Sequence, residues 1–256
     1  MHALDRRLET ALTLATEAGA MAMRLRPEPG STQAKLKGAQ DWVTEADGAV
    51  ERFLSDRLLQ AFPEDGFQGE EDGIGRTGTL RWVVDPIDGT SNYARGGNRF
   101  CVSLGLMEGR SPLAGVIVAP AIGETFAARR GGGATLNGIR IRAADTTALP
   151  RATVEIGWSG RRSDADFLAL CTRIRGSGAA LRMGGSGALG LAEVAAGRQD
   201  AYAELHINLW DVAAALAILT EAGASVSDFT AGHGCSEGDA ILACAPGIAG
   251  AMTALF

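Results

Sequence analysis

Trp82-Val83-Val84-Asp85-Pro86-Ile87-Asp88-Gly89-Thr90 is an apolar run that ends abruptly in two carboxylates three residues apart around a proline. Its apolar, partly β-branched opening reads as a strand whose carboxyl end carries both acids. Proline fixes φ and Asp-Gly favours a tight turn, so the segment can fold back and aim Asp85, the Ile87 carbonyl and Asp88 at one point. Three oxygen donors on a short loop suit a hard cation. The N–H groups of Gly89 and Thr90, if they open a helix, would face an anion just beyond that cation. Read alone, the same residues also describe an Asp-Pro turn and an Asp-Gly turn closing a surface loop.

Around this strand, Cys101–Met107 and Leu113–Val118 are short, β-branched and bounded by Gly and Pro turns, which predicts a sheet. Upstream, Leu4, Leu8, Ala11, Leu12, Ala15 and Ala18 recur at helical spacing over residues 3–25, and Pro27 and Pro29 end that helix. Gly30–Gln40, with Lys35 and Lys37, reads as a loop or ragged hairpin. Thr44-Glu45-Ala46-Asp47 opens a second helix like a capping box, and Val50, Phe53, Leu54, Leu58 and Phe62 mark its apolar face. Thr146–Arg151 is the expected boundary. Beyond it strand and helix alternate over 152–157, 163–174, 187–196, 201–205 and 212–222, so the expected division is an N-terminal α+β half, 1–148, and a C-terminal α/β half, 149–256.

Composition narrows the function classes. The 256 residues are 46% apolar, which excludes a disordered or fibrous chain. The opening Met1–Glu9 is charged where a signal peptide needs an apolar stretch, and no run reaches the ~18 apolar residues of a membrane span. The expectation is a cytoplasmic protein without a membrane partner. Cys101, Cys171, Cys235 and Cys244 form no C-x-x-C pair, as in a reducing compartment. A net charge of −6 gives no electrostatic footprint for nucleic acid. An anionic substrate would therefore need positive charge from something other than side chains.

Three further acids stand in suggestive places. Gly69-Glu70-Glu71-Asp72 follows Phe62-Pro63, Trp210-Asp211 precedes the apolar helix 212–219, and Asp47 sits in the helix-opening motif. Each has a plain reading: a solvated acidic turn, an N-cap, and the partner of Thr44.

Taken together, Asp41–Asp47, Gly69-Glu70-Glu71, Asp85–Thr90 and Trp210-Asp211-Val212-Ala213-Ala214 resemble the signature set of the inositol monophosphatase family, in order and approximate spacing over nearly the whole chain. Gly115–Pro120, Leu136-Asn137-Gly138, Gly185–Leu189 and Val194–Tyr202 add to the match. The resemblance implies an αβαβα sandwich, commonly a homodimer, with Mg²⁺-dependent, lithium-sensitive phosphomonoesterase activity. It implies that Glu70, Asp85 and the Ile87 carbonyl hold one Mg²⁺, that Asp85, Asp88 and Asp211 hold a second, and that a third, looser ion leans on Glu70 and water. It also implies that Thr90, hydrogen-bonded to Asp47, orients the attacking water while the Gly89 and Thr90 amides receive the phosphate. Mg²⁺ suits carboxylates and carbonyls, whereas His2, His206 and His233 lack zinc-ligand spacing. Bound cations would also turn an acidic pocket into a phosphate receptor.

Other readings remain. Gly185-Ser186-Gly187-Ala188-Leu189-Gly190 is a literal G-x-G-x-x-G after the expected strand 179–183, with Glu204 near the distance of a ribose-binding acid. An NAD-dependent oxidoreductase would use it, but that reading leaves the acids around Asp85 without a task. In the phosphatase reading, Gly185, Ser186 and Gly187 form a backbone wall beside the substrate. A phospholigand-binding regulator without turnover would keep the fold and the ligands. Glu204, His206 and Asn208 alternate along an extended segment and could share one face. Glu204 fits hydroxyl recognition, as for inositol 1-phosphate, or an ammonium, as in histidinol phosphate. Arg95-Gly96-Gly97-Asn98-Arg99 departs from the aromatic, proline-containing stretch that the resemblance implies near the pocket mouth. Fructose 1,6-bisphosphate and bisphosphate nucleotides fit less well, because no cationic cluster offers a second phosphate site.

Overall fold

A computed structural model describes residues 3–28, 35–38 and 41–256. In the first part of the chain lie α1 (Ala3–Leu25), β1 (Lys35–Gly38), β2 (Asp41–Val43), α2 (Glu45–Ala61), β3 (Gly66–Gly69), β4 (Ile74–Arg76), β5 (Leu80–Asp88), α3 (Thr90–Ala94), β6 (Cys101–Glu108), β7 (Ser111–Ala119), β8 (Glu124–Arg129), β9 (Gly133–Leu136) and β10 (Ile139–Arg140). The rest forms β11 (Thr153–Ile156), α4 (Asp164–Gly176), β12 (Ala180–Arg182), α5 (Gly187–Ala195), β13 (Ala201–Ile207), α6 (Leu209–Ala222), β14 (Ser225–Val226), β15 (Asp239–Cys244) and α7 (Ala249–Leu255). The stretch expected as a loop or ragged hairpin holds β1, paired antiparallel with β2; residues 30–34 and 39–40 lie outside the described residues.

An eight-stranded sheet runs β10-β9-β8-β7-β6-β5-β3-β4, and a five-stranded sheet runs β12-β11-β13-β15-β14. Alternation along β5 assigns its two faces. Trp82 and Val84 pack with the buried stripes of α1 and α2, such as Ala15, Ala18, Leu54 and Leu58. Val83 packs on the opposite side with α5 and α6, which also bury Tyr202 and Ala243 of the smaller sheet. The outer face of that sheet, including Val154 and Leu242, is covered by Leu170 and Ile174 of α4 and Met252 of α7. The layers are therefore αβαβα, as the sequence motifs imply.

Close approach of α6 to the larger sheet depends on two glycines. A Cβ at Gly105 would lie 2.6 Å from Ala213 Cβ, and one at Gly115 would collide with the Ala214 carbonyl. Glycine facing alanine thus lets the helix backbone settle onto β6 and β7. This contact sets where the amino end of α6 stands relative to the end of β5.

Candidate active site

Two acids three apart on a regular strand would point to opposite faces, because side chains alternate with period two. The register between β5 and β6 shows why Asp85 and Asp88 do not: Asp85 pairs with Ser103 and Asp88 with Cys101, so β5 carries one extra residue. The proline, lacking an N–H, sits in this bulge, and Ile87 drops into the core with Trp82 and Val84. Both carboxylates then share the α6 side. There they meet Asp211, with one oxygen from each of Asp85, Asp88 and Asp211 lying within 4.8 Å of the others.

Asp211 is the third residue of α6, not the residue that caps it. Asn208 is the N-cap, and its N–H donates to Asp211 Oδ2 at 3.0 Å. Asp85 Oδ1 accepts the Ile87 N–H at 2.9 Å, which tightens the bulge. Burial drives the Asp85 and Asp211 carboxyls well above their usual range, and neighbouring carboxylates push the same way: Glu70, Asp88 and Asp211 on Asp85, and Asp88 and Glu204 on Asp211. Three converging acids with raised affinity for protons are a cage short of positive charge. Their hard oxygens, half-buried or buried, fit a divalent cation such as Mg²⁺.

Asp88 has a second task. Its oxygens accept the Ser186 hydroxyl, the Gly187 N–H at 3.1 Å, the Ala188 N–H at 2.9 Å and the Cys101 thiol at 3.5 Å. Asp88 thus satisfies the first N–H groups of α5 from another part of the chain. The glycine-rich motif at 185–190 does connect a strand to a helix, but the helix end it would offer a pyrophosphate is filled by this carboxylate. Gly89 precedes α3 with φ +87°, and a Cβ there would lie 2.8 Å from Arg99 O and 3.1 Å from Ser186 Cβ. Conformation and crowding both require glycine at that position.

Glu70 is half-buried on the turn after β3, outside the Asp85–Asp88–Asp211 triplet, and its charge raises the Asp85 carboxyl. The turn is held by Glu51 of α2, whose oxygens accept the Glu71 N–H at 2.9 Å and the Asp72 N–H at 2.8 Å. Sequence reasoning missed Glu51. Its signal was an acid on the buried stripe of α2, between Val50 and Leu54.

Asp47 is the third residue of α2 and takes both the N–H of Thr44, at 2.8 Å, and its hydroxyl, at 2.6 Å. Burial raises its carboxyl to about 6 against these bonds. Its other oxygen lies 3.4 Å from the Thr90 hydroxyl, which donates to the Ile87 carbonyl at 2.8 Å. Glu204 is buried and accepts the Tyr202 hydroxyl at 2.5 Å; burial first, then the Asp88 and Glu155 charges, raise it to about 8. His206 and Asn208 do not share the Glu204 face. A register shift interrupts β13 between Glu204 and Ile207, His206 Nε2 lies 3.0 Å from the Glu237 carbonyl, and Asn208 leaves the strand to cap α6.

A layered αβαβα protein with three acids converging beside the helix layer between its sheets is the class that fold and site define. The chain belongs to the inositol monophosphatase family, whose sequence profile matches residues 3–255. It is 41% identical over 195 residues to the Nus factor SuhB of Xylella fastidiosa, covering 75% of this chain and 71% of that protein. It is 38% identical over 220 residues to the inositol-1-monophosphatase of Rhizobium meliloti, covering 84% and 83%. Among solved structures, the extragenic suppressor protein suhB from Bartonella henselae superposes with a TM-score of 0.90 at 30% identity, covering 98% of each chain. The inositol monophosphatase from Anabaena (Nostoc) sp. PCC 7120 superposes at 0.85 with 32% identity, covering 99% of this chain and 96% of that one.

Proposed function

We propose that this chain is a Mg²⁺-dependent phosphomonoesterase acting on a small polyol or amino-alcohol phosphate, with inositol 1-phosphate the first substrate to test. The observation that carries this reading is the convergence of Asp85, Asp88 and Asp211 within 4.8 Å at the end of a bulged strand. In this assignment Glu70, Asp85 and the Ile87 carbonyl would hold one ion, Asp85, Asp88 and Asp211 would hold another, and Glu70 would help to hold a looser third. Bound Mg²⁺ supplies charge neutralisation and Lewis acidity to the phosphate and the attacking water.

The protein's own groups do the orienting. Thr90, fixed by the Ile87 carbonyl and facing Asp47, aligns the water, and Asp47, with its carboxyl raised to about 6, is placed to receive a proton through Thr90. The Gly89 and Thr90 N–H groups receive the phosphate. Gly185, Ser186 and Gly187 wall the substrate side, with Glu204 recognising a hydroxyl, while His206 stands away from that face against the Glu237 carbonyl. A Glu204 carboxyl raised to about 8 keeps its proton at neutral pH, so it can donate as well as accept. Residues 1–148 and 149–256 are assigned as the two halves of the molecule, the chain working as a homodimer in the cytoplasm. Among the described residues no helix is long and apolar enough to cross a membrane.

A second reading is a phospholigand-binding partner without turnover, and it is kept because several relatives carry the name Nus factor SuhB instead of a phosphatase name. Phosphate release from inositol, sugar and amino-alcohol phosphates, with and without Mg²⁺, separates the two. Mg²⁺-dependent release abolished by chelator is expected. Silence across the whole panel, with retained binding of a phosphomonoester, would favour the partner.

A further inference from the structure

The segment Arg95–Arg99, which departs from the aromatic stretch implied by the family resemblance, has no part in the proposed reaction. Its last residue turns inward. Arg99 donates to Glu155 Oε2 of β11 at 2.5 Å and to Glu193 Oε1 of α5 at 2.9 Å. Gln199 Nε2 donates to both of these glutamates, and Glu155 and Gln199 are each only 2% exposed. Gly184 lies directly against this cluster, where a Cβ would collide with Arg99 Nε and Glu155 Oε1.

Asn92 completes the link, its Nδ2 lying 2.8 Å from the carbonyl of Arg99, 2.9 Å from that of Gly184 and 3.2 Å from that of Gly185. On the other flank, Arg26 stacks over Tyr93 and Phe100 at 5.5 and 5.1 Å and donates to the carbonyls of Tyr93 and Gly97. The 92–100 segment is therefore fixed to the end of α1 on one side and to β11 and α5 on the other. It holds the stretch whose next residues give Asp88 the Ser186 hydroxyl and the Gly187 and Ala188 N–H groups.

We propose that Arg99, acting with Asn92, is a positioning residue for the Gly184–Gly187 segment and, through it, for Asp88. A planar guanidinium can span two carboxylates on different elements, whereas a point charge neutralises them without fixing their separation. The inference rests on the reading of Asp88 as a metal ligand.

The test uses the full chain as wild type, Arg99→Met and Arg99→Met with Glu193→Gln. Three readouts are taken: hydrogen exchange of the peptide covering 184–190 in chelator-treated protein, Mn²⁺ binding by calorimetry, and the thermal midpoint. The single variant should exchange faster in that peptide and bind Mn²⁺ about tenfold more weakly, the scale of one lost hydrogen bond to a charged group. The double variant, which removes one of the two carboxylate charges left without the guanidinium, should regain part of the midpoint but neither slow exchange nor Mn²⁺ affinity. Wild-type exchange and affinity in Arg99→Met, with a lowered midpoint alone, would overturn the proposal and leave Arg99 as a neutralising group. If Arg99→Met does not fold, Asn92→Ala takes the same readouts, and wild-type values there overturn it equally. A wild-type protein that binds Mn²⁺ but hydrolyses nothing defeats the phosphatase reading while exchange and affinity still decide the positioning role. A wild-type protein that binds no Mn²⁺ defeats the ligand reading of Asp88, and exchange alone then decides.

Discussion

Replacing Glu204 by Gln should make folding stability less sensitive to pH, because Glu204 is a nearly inaccessible acid whose carboxyl stands at about 8 against 4.5 for a free side chain. Burial is the main cause, reinforced by the Asp88 and Glu155 charges and opposed by the Tyr202 hydroxyl. The folded state keeps a proton that the unfolded chain gives up. Glu204's contribution to stability is therefore fully present below pH 4.5 and is lost as pH rises through about 8. At about 1.36 kcal/mol per unit, the wild type should lose about 3 kcal/mol relative to Glu204→Gln between roughly pH 5 and pH 8. Gln keeps the shape and can still accept from Tyr202, so the difference isolates the titration. The assay is reversible urea unfolding of chelator-treated protein at each pH, wild type against variant, at matched denaturant slopes. A difference constant to within about 0.5 kcal/mol across that range would refute the reasoning. Repeating the series with Mg²⁺ should flatten the slope, since a cation beside Asp88 offsets one of the charges acting on Glu204.

Gly115→Ala should lower stability by about 2–3 kcal/mol, because the new methyl group collides with the α6 backbone and cannot rotate away; calorimetry should show the midpoint falling by about 5–10 °C. Asp88→Asn should abolish Mg²⁺-dependent phosphate release, yet cost no more than about 2 kcal/mol of stability, since relief of repulsion from Asp85 and Asp211 offsets the poorer fit of an amide to the Ser186, Gly187 and Ala188 donors. Unchanged turnover in that variant would exclude Asp88 from the site. Thr90→Ala should reduce kcat by about 10²-fold with Mn²⁺ affinity unaltered by calorimetry, as expected of a group that orients water. Parallel loss of both would make Thr90 part of the ion's coordination.

Much of the architecture was legible in sequence because its signals are local. The helical spacing of Leu4 to Ala18, the capping pair Thr44 and Asp47, and the apolar run before Asp85 each report a backbone preference within a few residues, and each element formed where expected. Short strands such as β3, β4, β9 and β10 were less visible, being two to four residues long and partly polar. At Asp211 the helix proved to start three residues earlier than its apolar run, since Leu209, Trp210 and Asp211 join it and Asn208 caps it.

The sequence by itself determined which residues have cation-binding chemistry and their order along the chain, because oxygen donors and turn formers declare themselves by type. Only the tertiary structure decided that they meet. Asp85 and Asp88 face the same way through one extra residue in the register with β6, and Asp211 reaches them through the glycine–alanine contact that seats α6. Glu51, which is buried, and Asn92 and Arg99, which are half-buried, bond to atoms 7 to 94 residues away. Side-chain periodicity is a property of a single segment, whereas convergence depends on the registers and packing distances between segments, which a linear pattern does not encode.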